Sequence, residues 1–239
     1  MPKDRSSPDH QLGAALRIDS RSLSGGESSS LPLPNTAQRA LGPRERLLPI
    51  AGVVSLHLAC YWIVTRVTLA RGPEVLFDTT IGLDRLIPHI PATWPFYWIA
   101  YPFVVLGGGD ALLRMPSARY RRALVTLVAM TLAGALIQLV VPARAPWPAF
   151  PAPMQAHFHQ SAWVLPYATL PSMHVAYCLF AATLVSSLTP RRAIRGAAAL
   201  IVLLVAIATL TLKEHVLLDV ITGVALGALG ARWWFLGRA

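Results

Sequence analysis

The stretch IRGAAALIVLLVAIATLTL, residues 194–212, carries no charge after Arg195 and ends on Lys213-Glu214-His215, after which a second apolar stretch, 216–236, begins at once. A run of about 20 apolar residues has the length of a helix crossing the hydrocarbon core of a bilayer, where helical bonding satisfies each backbone N–H and C=O. Working outward, comparable runs lie near 47–66, 93–113, 122–141 and 166–188. The last is interrupted by Pro166 and Pro171, so its helix is expected to begin near Ser172. The composition agrees with this reading: 54% of residues are hydrophobic, 13% are charged and the mean hydropathy is +0.51. An ordinary soluble domain is excluded. The expected fold is all-α, an integral membrane bundle of about six transmembrane helices.

Residues 1–43 differ from the rest. Ser, Gly, Pro and Arg dominate there and no apolar periodicity is sustained, which predicts a disordered cytoplasmic tail ahead of a membrane domain over 44–239. The first apolar run begins only near Leu47, too far along for a cleaved secretory signal, so the first helix is expected to stay as an anchor.

A net charge of +10 and a pI near 10.6 could suggest nucleic acid as a partner. The placement of the charges argues against it. Lys3, Arg5, Arg17, Arg21, Arg39, Arg44, Arg46, Arg114, Arg119, Arg121, Arg122, Arg191, Arg192, Arg195, Arg232 and Arg238 fall on one side of the six-span scheme, and only Arg66, Arg71, Arg85, Arg144 and Lys213 on the other. The excess of positive charge places the first side, with both termini, in the cytoplasm. Arg191, Arg192 and Arg195 are read as setting orientation rather than binding a specific lipid.

The same topology puts two polar signatures on one non-cytoplasmic face of a cell membrane: Pro171-Ser172-Met173-His174 and His215-Val216-Leu217-Leu218-Asp219. An ionisable group inside a membrane helix is costly and asks for a functional or paired explanation. His215 and Asp219 are four apart, hence one turn apart on one helical face. A carboxylate there fixes the imidazole tautomer and favours positive charge on the ring, an arrangement suited to a nucleophile or base. His174 and Ser172 sit at a helix N-terminus, where free N–H groups and the dipole favour a bound anion. Arg144 and Lys213 bring positive charge to the same face, and Arg144 can grip phosphate in a bidentate manner. Such a site suits a phosphate ester, with a membrane lipid as the substrate and the bilayer as the surrounding partner.

These residues resemble the type 2 phosphatidic acid phosphatase superfamily of membrane lipid phosphatases and phosphotransferases. Pro171, Ser172 and His174 complete its Pro-Ser-x-His motif. His215 and Asp219 retain the end of its Ser-Arg-x5-His-x3-Asp motif, with Ala208 and Thr209 in place of Ser and Arg. Of Lys-x6-Arg-Pro only Arg144 remains, followed by Ala145-Pro146, and Ile137 stands at the Lys position. The divergence is similar to the inositolphosphotransferase-like branch related to inositol phosphorylceramide synthases, through Lys213-Glu214-His215 leading to Asp219 and Gly223. Asp78-Thr79-Thr80-Ile81-Gly82-Leu83-Asp84, followed by Ile87-Pro88-His89-Ile90-Pro91 and a Trp/Tyr-rich helix, adds to that likeness. The resemblance implies that His215 attacks phosphorus to give a phosphohistidine, that Asp219 orients it and that His174 protonates the leaving oxygen. Arg144, Ser172 and Lys213 would bind phosphoryl oxygens, and no cofactor or metal is required.

Other readings stay open. His174, His215 and Asp219 could instead form a two-His, one-carboxylate metal site, or the chain could be a catalytically silent lipid-binding or transport protein. His57, His89, His157 and His159 are read as polar anchors at the membrane interface, and Asp110 as a solvated helix cap. Gly223, Gly227 and Gly230 have the spacing of close helix packing. Pro142, Pro146, Pro148, Pro151 and Pro153, with Trp147, Phe150, Phe158 and Trp163, make a stiff interfacial connector or a lipid-entry lid. Cys60 and Cys178 lie inside apolar runs, where neither a disulfide nor metal binding is indicated.

Overall fold

The computed structural model describes residues 42–144 and 169–236. The expected tail, the aromatic part of the connector and the histidines at 157 and 159 lie outside them. Among the described residues six helices follow one another: α1 (Pro43–Arg71), α2 (Pro91–Arg114), α3 (Ser117–Val140), α4 (Met173–Leu188), α5 (Arg192–Thr211) and α6 (Leu217–Leu236). All but α4 are long and apolar enough to cross a membrane.

Local chemistry explains the boundaries. The Gly42 N–H donates to the Glu45 carboxylate at 2.7 Å and Pro43 opens α1 with a preset φ. At the other end Gly72 takes φ 88°, a left-handed conformation that glycine adopts without steric cost, and Pro73 cannot continue the helix. Helix α2 is uneven. Pro102 has no N–H to return to the Trp98 carbonyl, and the turn that follows, Phe103–Gly108, widens to a π-helix before α-helix resumes at Gly109.

Helix α4 packs against α2, α5 and α6. Its Val175, Ala176, Cys178, Phe180, Ala181 and Leu184 are all buried, as expected of a helix that is apolar on every face. A central position also accounts for its length of 16 residues, which spans only about 24 Å at 1.5 Å per residue. The run at 166–188 thus yields a helix beginning at Met173, and the chain just before it is non-helical yet buried. Such backbone is tolerated at membrane depth when protein surrounds it and pairs its polar groups. Here the Thr169 N–H donates to the Ala143 carbonyl at 3.3 Å and the Ser172 N–H to the Asp219 carbonyl at 2.9 Å.

The small-residue spacing on α6 does bring helices together. A Cβ added at Gly223 would lie 2.5 Å from the Ser172 carbonyl oxygen, and one at Gly227 would lie 2.8 Å from that of Ala176. Leu58, Trp62 and Ile63 of α1, Leu136 and Val140 of α3 and Leu229 of α6 face outward, which is the arrangement expected when lipid is the solvent. His57 departs from its reading as an interfacial anchor. Its Nδ1 lies 3.1 Å from the Tyr177 hydroxyl, which in turn contacts Thr131 Oγ1 at 2.7 Å, so it joins a polar link between α1, α4 and α3. Asp110 accepts the Arg114 Nε–H at 2.8 Å on the exposed surface. Cys60 and Cys178 are both free.

Up-and-down connectivity brings the ends of α1, α3 and α5 to the starts of α2, α4 and α6. A short parallel pairing, Phe77–Asp78 with Ala143–Arg144, joins two of the connections at this end. The Ile90 N–H donates to the Thr211 carbonyl at 2.9 Å and ties in a third.

Candidate active site

Helix α5 ends in a tight reversal that presents His215. Lys213 takes φ 62°, and the Glu214 and His215 N–H groups both donate to the Thr209 carbonyl at 3.1 Å. Helix α6 then starts at Leu217, and its first turn returns Asp219 beneath the ring. The Asp219 Oδ2 lies 3.2 Å from His215 Nδ1 and also accepts the Val216 N–H at 3.2 Å. Asp219 is fully buried and His215 nearly so. A hydrogen bond from Nδ1–H to this carboxylate leaves Nε2 of His215 as the free nitrogen, with its lone pair directed away from the carboxylate.

His174 comes from the first turn of α4. Its ring centroid lies 5.8 Å from that of His215, with the planes inclined at 67°. Ser172 is the N-cap residue, fully buried, and its Oγ has no hydrogen-bond partner among the described residues. The structure therefore brings His174, His215, Asp219 and Ser172 together from two helices far apart in sequence.

The two expected cations are placed differently. The Lys213 ammonium donates to the carbonyl oxygens of Asp84 at 2.9 Å and Ile87 at 2.6 Å, so it binds the chain that precedes α2. The Lys213 backbone is left-handed, and its ammonium is engaged by that segment. Arg144 is half-exposed and its guanidinium lies 3.8 Å from the Asp78 carboxylate. Asp78 is held below the usual carboxylate range, first by its hydrogen bonds from Thr80 and then by Arg144.

Three residues given no role from the sequence belong to this neighbourhood. Asp84 is buried; its Oδ2 accepts the Ile81 N–H and its Oδ1 the Leu217 N–H, each at 2.8 Å. It thereby caps α6 at its first residue from 133 positions away. The Tyr101 hydroxyl lies 3.0 Å from His174 Nε2, and the buried Tyr97 ring packs on the His174 ring at 4.8 Å between centroids. The signal for Asp84 is its place at the end of the polar stretch that precedes α2. For the tyrosines it is a spacing of four, which sets both on one face of α2. Among the described residues no group of three or more His, Cys, Asp or Glu side chains is arranged to hold a metal ion.

A family model described as the PAP2 superfamily matches residues 89–233, more than half of the chain and all of the His174 and His215 site. Searches of curated proteins and of solved structures found no match.

Proposed function

Since the chain belongs to the PAP2 superfamily, we propose that it is a membrane lipid phosphatase or phosphotransferase working through a phosphohistidine on His215. Membership supports phosphatase-type chemistry on lipid phosphates. The observation that carries the finer reading is the buried His215 Nδ1 to Asp219 Oδ2 contact at 3.2 Å, with the His174 ring 5.8 Å from that of His215.

Nε2 of His215 attacks phosphorus, and the imidazolium that results is stabilised by the carboxylate behind it. The α4 N-terminus and the unpaired Ser172 hydroxyl meet the charge on the equatorial phosphoryl oxygens. Arg144 lies on the same end of the bundle and supplies further positive charge when its pairing with Asp78 opens. His174 serves as the acid for the leaving oxygen. A second displacement, by water or by an alcohol group of another lipid, then frees His215. Transfer of an inositol-type headgroup is the version favoured by the likeness around Lys213 to Gly223. The distribution of Lys and Arg supports a reading with both termini in the cytoplasm and the site on the outer face.

The test is phosphate release from a panel of lipid phosphates, including phosphatidate and isoprenoid diphosphates, by purified protein and its His215→Ala variant. Release by the unaltered protein that disappears in the variant supports the reading. Release that persists in the variant rules out His215 as the nucleophile.

A further inference from the structure

Each histidine of the site has its own orienting partner, and the partner of His174 is a phenol. We propose that Tyr101 is a further catalytic residue, the hydroxyl through which His174 exchanges its proton with the leaving and attacking oxygens. The inference rests on the phosphoryl-transfer reading given above.

Three observations carry it. First, the Tyr101 hydroxyl lies 3.0 Å from His174 Nε2, within reach for a proton to pass between them. Second, Tyr101 is 45% exposed, whereas Tyr97 beside it is 5% exposed. Tyr101 thus touches His174 while part of its side chain stays accessible. Third, the geometry is built in. The Tyr101 ring meets the His174 ring edge-on at 5.5 Å and Trp98 at 5.2 Å. The π segment that Pro102 introduces, Phe103–Gly108, begins two residues after Tyr101.

The exchange balances as follows. The first displacement begins with the phosphate ester bound and His174 protonated, the imidazolium balanced by the phosphoryl charge beside it. The Nε2–H bond of His174 breaks as the Tyr101 oxygen takes that proton, while the Tyr101 O–H bond breaks and its proton joins the leaving ester oxygen, which keeps the P–O electron pair. Tyr101 and His174 both end neutral. In the second displacement the attacking water or alcohol gives its proton to Tyr101 and the phenol proton returns to Nε2, restoring the imidazolium.

The experiment compares kcat/KM for phosphatidate, whose alkoxide leaving group needs a proton, and for 4-nitrophenyl phosphate, whose phenolate does not. It uses the full chain, Tyr101→Phe and His174→Ala. Tyr101→Phe keeps the ring contacts, and an unchanged melting temperature in detergent shows that the fold is intact. The expected result is a fall of about 100-fold for phosphatidate and of less than about threefold for 4-nitrophenyl phosphate, in the range of general acid catalysis. An equal fall with both compounds, or none with either, overturns the relay. His174→Ala separates the two readings: if it lowers phosphatidate turnover and Tyr101→Phe does not, only the relay falls. If His174→Ala changes nothing, the acid role of His174 falls with the relay; if the unaltered protein turns over neither compound, both the relay and the phosphatase form of the reading fall.

Discussion

The backbone amide of Ser172 donates to the carbonyl of Asp219 at 2.9 Å, which fastens the N-cap of α4 to the first turn of α6. One bond therefore sets the distance between the helix that carries His174 and the helix that follows His215. It is possible because Gly223, one turn further along α6, presents no side chain to the Ser172 carbonyl.

Gly223→Ala follows directly. Its added methyl would sit 2.5 Å from a backbone oxygen, so the helices must part, at a cost of about 1–3 kcal/mol typical of overpacking. We expect a lower melting temperature in detergent and a loss of activity larger than that of Gly196→Ala, where a Cβ meets nothing within 4 Å.

Asp219→Asn keeps the shape of the side chain and removes its charge. The His215 ring then loses both its tautomer control and the stabilisation of its cationic form, and kcat should fall by about 10²- to 10⁴-fold, as when acid–base support is removed. Substrate KM should change little, which steady-state kinetics on phosphatidate would show. An unchanged kcat would remove Asp219 from the mechanism.

Asp84→Ala tests the cap on α6. It leaves the Ile81 and Leu217 N–H groups without their acceptor, with a stability loss of about 1–2 kcal/mol, as for other lost N-caps. Because Leu217 follows His215 so closely, activity should fall as well. Lys213→Met should act in the same direction through the Asp84 and Ile87 carbonyls. If Lys213→Met raised KM and left the melting temperature alone, a substrate-binding role for the lysine would be indicated instead.

Arg46 offers a contrast at the opposite end of the bundle. Its buried guanidinium donates to the carbonyls of Leu113 at 2.9 Å and Met115 at 2.5 Å, where α2 ends, and to Ser117 Oγ at 3.3 Å. Arg46→Met should cost about 1.5–3 kcal/mol, the range for hydrogen bonds to charged groups. Turnover per folded molecule should stay unchanged, measured as activity normalised to the monodisperse fraction.

Vanadate, which takes up the five-coordinate geometry of a transferring phosphoryl group, should inhibit the protein competitively, and a chelator such as EDTA should leave it active. Inactivation by EDTA that zinc or manganese reverses would favour the two-His, one-carboxylate metal site over a phosphohistidine.

Much of this protein was legible in the chain itself. Membrane class and the six apolar segments follow from run length and composition, because a bilayer imposes one length scale on every segment that crosses it. The start of α4 at Met173 follows from Pro171 and the Ser172 cap. The His215 and Asp219 pairing was visible as a spacing of four, but His215 lies ahead of α6, so the contact is made across the turn that opens the helix rather than along one helical face. Relationships across helices had no such local sign. The tertiary structure alone set the His174 ring beside that of His215, turned Lys213 toward the Asp84 and Ile87 carbonyls, paired Arg144 with Asp78 and placed Tyr101 on His174. Periodicity tells which face of a helix is buried, but which neighbour meets that face depends on packing between segments distant in sequence. Here the packing was decided by glycines on α6, by the centrality of α4 and by a carboxylate reaching from residue 84 to residue 217.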